Sequence, residues 1–316
     1  MKKNFLVFLT FSLLFSASCG QRETDTGSTA TSTATSSAAD SKPMTVKGSD
    51  TMVVLGQRFA EEYMKRNPGT IVQINGGGSG TGIAALINGT IDLAQSSRSM
   101  KDQERQKVQE QRNAAVVETA VAIDSLAVFV NEQNPVRELS VEQLAGIYTG
   151  KTKNWSEVGG KKAPIVLYGR ESSSGTYDYF KENVLDKADF SPTAQTLQGT
   201  AAIVNAVARD GNGIGYGGIA YARNVRAIAI KGKGASAAVA PSENSVADSS
   251  YPLSRKLFFY TLQNSPERVS RFVEFALSPE GQAVVKAADY FPLTTGGPGD
   301  QGTSTAPATS TDAQNR

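Results

Sequence analysis

Three short segments hold the residues best suited to chemistry: Lys47-Gly48-Ser49-Asp50-Thr51-Met52, Asn75-Gly76-Gly77-Gly78-Ser79-Gly80-Thr81-Gly82 and Gly169-Arg170-Glu171-Ser172-Ser173-Ser174-Gly175-Thr176. All three are rich in Gly, Ser and Thr. Hydroxyls and backbone N–H groups are donors that need no counter-charge, and glycine lets an anion reach the amides without a Cβ in the way. Such segments suit the capture of an oxyanion, above all at the start of a helix, where free N–H groups and the dipole face outward. Arg170 adds a planar fork able to donate two parallel hydrogen bonds to a tetrahedral anion. Arg98, in Gln95-Ser96-Ser97-Arg98, is a second candidate.

For the segments to act together, each must stand between a strand and a helix. Short β-rich runs precede them or lie close by: Met44 to Lys47, Thr70 to Ile74, Ile91 to Ala94 and Pro164 to Tyr168. Helical signals alternate with these runs. Leu55, Phe59 and Tyr63 share one face of a segment ending near Asn67-Pro68, and Ser140 with Gln143 forms a capping box ahead of Leu144 and Ile147. Ser265-Pro266-Glu267 and Ser278-Pro279-Glu280 each place a cap, a first-turn proline and an acid where a helix should begin. Lys101 to Arg112 reads as a solvated helix, and the whole pattern as α/β architecture.

Composition excludes several classes. The chain has no histidine and one cysteine, which removes zinc sites of the usual ligand set, Ser-His-Asp and Cys-His catalysis, and histidine acid-base work; no metal or cofactor is expected. The Gly76 to Gly82 segment has no lysine and is not a P-loop. Gly213-Ile-Gly215-Tyr-Gly217-Gly218 has dinucleotide-fingerprint spacing, but it follows the helical pattern Ala201 to Arg209 and lacks the downstream acid; it reads as a structural turn.

Lys2 and Lys3 followed by the apolar run Phe5 to Phe15 read as an export signal over residues 1–18, and Cys19, after Ser16-Ala17-Ser18, as a lipidation site. Position 16 is a serine where lipoproteins usually carry an aliphatic residue. Without Lys2 and Lys3 the 32 basic residues become 30, matching the 30 acidic ones, and nothing points to nucleic acid. Residues 19–43 and 295–316 are dominated by small and polar side chains and read as a disordered tether and tail.

From Met44 to Leu293 the chain resembles the phosphate-binding proteins of high-affinity phosphate ABC importers. Besides the three loops, the resemblance rests on Val121-Ala-Ile-Asp124-Ser-Leu-Ala-Val128, on Leu144 to Gly150 with Asn154-Trp155, on Gly213-Ile-Gly-Tyr216, and on Ser278-Pro-Glu-Gly-Gln282 through Tyr290-Phe-Pro-Leu293. It implies a two-lobed periplasmic-binding-protein fold of the two-crossover type, each lobe a central sheet flanked by helices. One lobe would hold 44–122 plus 256–294 and the other 123–255, with crossings at Val121 to Asp124 and Arg255 to Tyr260. The implied protein is not an enzyme. It is a monomeric, lipid-anchored, extracytoplasmic receptor that closes on inorganic phosphate and delivers it to a membrane ABC permease. The alternatives are the same fold binding sulfate or another tetrahedral oxyanion, and a phosphate-sensing or adhesion surface protein.

Carried over by position, Ser79, Arg170, Ser174, Gly175 and Thr176 fall on phosphate ligands of the family, and Ser49, Asp50 and Thr51 lie on the first loop. Where better-known members carry an acceptor aspartate, this chain has Ser97. Phosphate near neutral pH keeps a proton that sulfate lacks, so a carboxylate acceptor discriminates between them. Asp50 is the candidate to replace it, with Asp124 at the crossing in reserve.

Overall fold

The computed structural model describes residues 42–293. The export signal, Cys19 and nearly all of the 19–43 and 295–316 segments lie outside the described residues.

Three parallel strands begin the fold, β1 (Met44–Gly48), β2 (Val72–Asn75) and β3 (Leu93–Ser96), in the order β2-β1-β3. Helices α1 (Val53–Arg66) and α2 (Ser79–Ile87) connect them, and α3 (Asp102–Arg112) follows β3. In α1, Leu55, Phe59 and Tyr63 are buried as their 3.6-residue spacing requires, and the helix stops at Asn67, ahead of Pro68. In α3 only Val108 is buried, in keeping with its polar sequence.

Strand β4 (Val116–Val130) then runs for 15 residues. A second α/β layer follows: β5 (Glu138–Ser140), α4 (Val141–Tyr148), β6 (Val166–Arg170), α5 (Gly175–Asn183), β7 (Gln195–Leu197), α6 (Thr200–Arg209) and β8 (Gly213–Gly218). Strands β9 (Arg226–Ala227), β10 (Ala229–Lys231) and β11 (Ala238–Val239) lead through α7 (Glu243–Ala247) to β12 (Ser254–Leu262), and α8 (Glu267–Leu277) and α9 (Pro279–Ala287) close the described chain.

The main sheet has the order β2-β1-β3-β12-β4-β8-β6-β7. Its centre explains the two-lobed shape. The first part of β4, Val116 to Ser125, pairs antiparallel with β12, whereas Leu126 to Val130 pairs with β8. One strand therefore belongs to two layers, and β12 returns beside it. Met44, Phe59, Leu93, Phe259 and Phe272 pack into one core, and Leu126, Tyr148, Trp155, Phe180 and Tyr216 into another. A strand buried on both faces needs a near-continuous apolar run, and β4 has one from Leu126 to Val130.

Two local readings change. Gly213–Gly218 is not a turn but the fully buried strand β8, placed between β4 and β6. A Cβ at Gly215 would lie 2.5 Å from Ile203 and one at Gly217 2.4 Å from Thr200, so the glycines admit α6 against the strand. At α8, Pro266 occupies the cap position itself and the Ser265 hydroxyl instead accepts from the Leu262 amide at 2.9 Å. Ser278 does cap α9, accepting from the Gly281 amide with Pro279 in the first turn.

Candidate functional site

The three loops leave the ends of β1, β2 and β6 and open helices. At the first, Gly48 has φ 147°, and a Cβ there would lie 2.0 Å from the Gln95 carbonyl oxygen. Only glycine allows β1 and β3 to approach this closely. Ser49 then donates its amide to Gln95 O at 2.8 Å, and the chain turns through Asp50–Met52 into α1. The second loop is held to the first by Gly78 N donating to Gly48 O at 3.0 Å. In the third, Ser174 caps α5, its hydroxyl accepting from the amides of Thr176 (3.2 Å) and Tyr177 (3.3 Å). Below that cap, Phe180 stacks on Tyr216 with centroids 4.1 Å apart, fixing α5 against β8.

These loops converge on one place. Thr51 Oγ1 and Thr176 Oγ1 are 2.9 Å apart across 125 residues of sequence. Ser97 N donates to Ser79 Oγ at 3.1 Å, and the two serine hydroxyls lie 3.4 Å apart. Gly175 faces them so closely that a Cβ would be 2.3 Å from Ser79 Oγ and 2.8 Å from Ser97 Oγ. Backbone also meets backbone across the cleft, with Gly80 N donating to Ser173 O at 2.9 Å.

Arg170 ends β6, tied to the Asp50 that precedes Thr51, and is 2% exposed. Its Nη2 donates to Asp50 Oδ2 at 2.8 Å and to Glu171 Oε1 at 2.9 Å, its Nε to Glu171 Oε2 at 3.0 Å, and its Nη1 to Thr200 Oγ1 at 3.0 Å. Asp50 in turn accepts from Gly77 N at 2.8 Å. Asp124 is fully buried on β4, where Arg255 Nε and Nη2 donate to its Oδ2 at 3.1 and 2.9 Å. Burial pushes the Asp124 carboxyl above the ordinary carboxylate range, against the pull of Arg255.

Arg98 goes elsewhere. Its guanidinium donates to Glu104 at 2.8 and 2.7 Å and to Ser99 O, and its Nε lies 2.9 Å from Asp178 on α5. Lys101 reaches the same Asp178 oxygen at 3.0 Å. Arg98 thus takes part in a charged clasp across the cleft and does not point into the hydroxyl cluster. Burial raises the Glu104 carboxyl, but hydrogen bonds from Arg98 and the Lys101 amide outweigh that and hold it below its ordinary 4.5.

Sequence reasoning passed over Thr200, Glu171, Asp178 and Arg255 as members of this network. Thr200 had a local signal, because Gly199-Thr200 opens α6 directly after β7 and so repeats the strand-loop-helix arrangement. Asp178 and Arg255 had none, since their partners lie 77 to 204 residues away. Among the described residues, no group of three His, Cys, Asp or Glu side chains is placed to hold a metal ion. No described helix is long and apolar enough to cross a membrane.

A family model described as a PBP superfamily domain matches residues 30–280. The phosphate-binding protein PstS of Pseudomonas aeruginosa is 37% identical over 264 residues, covering 78% of this chain and 81% of that protein. The chain belongs to the PstS family of phosphate-binding proteins. PstS of Staphylococcus aureus is 34% identical over 250 residues, covering 76% of this chain and 75% of its own length. A Clostridium perfringens protein, described as a phosphate ABC transporter substrate-binding protein and solved with bound phosphate, superposes with TM-score 0.73 at 30% identity. The match covers 80% of this chain and all of that one. An ABC-type phosphate transport receptor from Vibrio cholerae superposes with TM-score 0.65 at 29% identity, covering 79% of this chain and all of the receptor. PstS-family membership makes the chain a solute-binding component of the two-lobed type, not an enzyme.

Proposed function

We propose that this PstS-family chain binds inorganic phosphate between its two lobes and passes it to an ABC permease in the membrane. The observation that carries the reading is the meeting of Thr51 with Thr176 and of Ser79 and Ser97 with Gly175, which brings hydroxyls and two helix N-termini together, with the buried Arg170 guanidinium tied to Asp50, the residue before Thr51. An anion inserted there would exchange water for fixed donors. Ser49 and Ser174 hold the loops around it. Asp50, beside the Arg170 fork, accepts the phosphate proton, while Asp124 is engaged by Arg255.

The lobes of this reading are 44–122 plus 256–294 and 123–255, and β4 and β12 are the hinge strands. The protein acts as a monomer outside the cytoplasm, with Cys19 as its lipid anchor. Isothermal titration of the soluble domain with phosphate and with sulfate tests the ligand. Micromolar or tighter phosphate binding with weak sulfate binding supports the reading, and equal affinity for both sinks it. Replacing Cys19 with serine should release the protein from membranes, and persistent membrane association would rule out the anchor.

A further inference from the structure

Behind the two threonine hydroxyls lies a buried cation that none of the three loops contributes. Arg255 sits on β12, is 7% exposed, and is the direct register partner of Asp124 on β4. The pair lies one rung from Ser125, where β4 leaves β12 for β8. Besides its two bonds to Asp124 Oδ2, Arg255 Nη2 donates to Thr176 Oγ1 at 3.0 Å and reaches Thr51 Oγ1 at 3.5 Å. Its Cζ is 5.3 Å from the centre of the Tyr179 ring, which packs over it from α5.

The direction of these bonds is fixed by chemistry. A guanidinium has donors only, so at Thr176 the hydroxyl must be the acceptor and its own proton must point elsewhere. It can go to Thr51 or to an anion in the cleft. A hydroxyl that accepts from a cation is also polarised into a better donor. Desolvating an Arg–Asp pair is costly and on its own adds little to stability. Arg255 Nη1, moreover, is buried without a hydrogen-bond partner among the described residues. A role at the site accounts for keeping such a pair here better than folding does.

We infer that Arg255 is a positioning residue of the anion site: by donating to Thr176 Oγ1 it makes that oxygen an acceptor on the buried side and leaves the Thr176 proton to be donated toward the bound oxyanion. Asp124 cancels the charge, so the Thr176 hydroxyl is polarised without an added net positive charge. This rests on the phosphate-binding reading above. It also means that Arg255 acts through Thr176 and does not touch the ligand.

The test is phosphate titration of the wild-type protein, of D124N/R255Q, which keeps the buried pair neutral, and of both again with T176V. The double variant should bind about tenfold to a hundredfold more weakly than wild type, the range for a hydrogen bond to a charged group. With T176V already present, the same exchange should cost less than about threefold, because its route to the ligand is gone. Wild-type affinity in D124N/R255Q, or an equal loss in both backgrounds, overturns the inference while leaving the functional reading standing. A wild-type protein that binds no phosphate overturns both. Should D124N/R255Q fail to fold, D124L/R255M serves in its place: it replaces the buried pair by apolar side chains and leaves no donor for Thr176, and unchanged phosphate affinity there counts against the inference.

Discussion

Asp50 and Arg170 meet at 2.8 Å although 120 residues separate them, one at the end of β1 and the other at the end of β6. The contact is made only when the two halves of the fold face each other. Arg170→Ala should therefore leave each core folded and remove tight phosphate binding. Truncating one partner of a buried, hydrogen-bonded charge pair costs about 2–5 kcal/mol. Near-native affinity by calorimetry would take Arg170 out of the site.

Selectivity should reside in Asp50. Protonated phosphate can donate to its carboxylate, whereas sulfate would meet it with lone pairs only. Sites built on one such hydrogen bond reject ligands that cannot make it by about 10⁴–10⁵. Asp50→Asn is expected to admit sulfate much more readily, with Asp124→Asn as the comparison. If the Asp124 variant loses discrimination and the Asp50 variant keeps it, the acceptor is at the crossing.

Gly175 should tolerate no side chain. An alanine Cβ would come 2.3 Å from Ser79 Oγ, closer than real Cβ atoms approach, so the third loop and the second could not close together. Gly175→Ala is expected to keep the melting temperature of the ligand-free protein within a few degrees and to weaken phosphate binding at least about tenfold. Unchanged affinity would mean that the two loops do not approach this closely in the complex.

The clasp at Asp178 should govern release more than capture. Of its partners Lys101 is exposed, where a pair contributes about 0.2–1 kcal/mol, and buried Arg98 keeps its two bonds to Glu104 when Asp178 is neutralised. Asp178→Asn is therefore expected to speed phosphate dissociation about two- to fivefold in stopped-flow measurements, with little change in the association rate. A slower association and an unchanged dissociation would reverse the assignment.

Acid should loosen the other half of that clasp. Because the folded protein holds Glu104 below its ordinary 4.5, ionised Glu104 favours the folded state above that value, and the benefit is lost as pH falls through the lower folded value. Denaturant melts of wild type and Glu104→Gln should differ at neutral pH and draw together as the pH falls below the ordinary 4.5 and through the lower folded value. A gap that stays constant down to pH 3 would show that the charge on Glu104 is not what matters.

The amino-acid sequence by itself determined the local pieces. The Gly/Ser/Thr loops, the amphipathic α1, the capping boxes and the α/β alternation depend on backbone geometry within a few residues, so they are written in the order of the side chains. Family signatures from Met44 to Leu293 were equally legible. What the tertiary structure alone decided is which pieces meet. Arg98, read as an anion partner, is drawn to Glu104 and Asp178 because α3 and α5 place carboxylates closer to it than the cleft is. Gly213 to Gly218 carries turn-like glycines, yet it becomes a buried strand because α6 needs its surface flat. Arg255 lies in an ordinary apolar strand sequence. Only the antiparallel register of β12 on β4 sets it opposite Asp124 and beneath Thr176, and such pairing depends on strands brought together from 131 residues apart, which no local signal encodes.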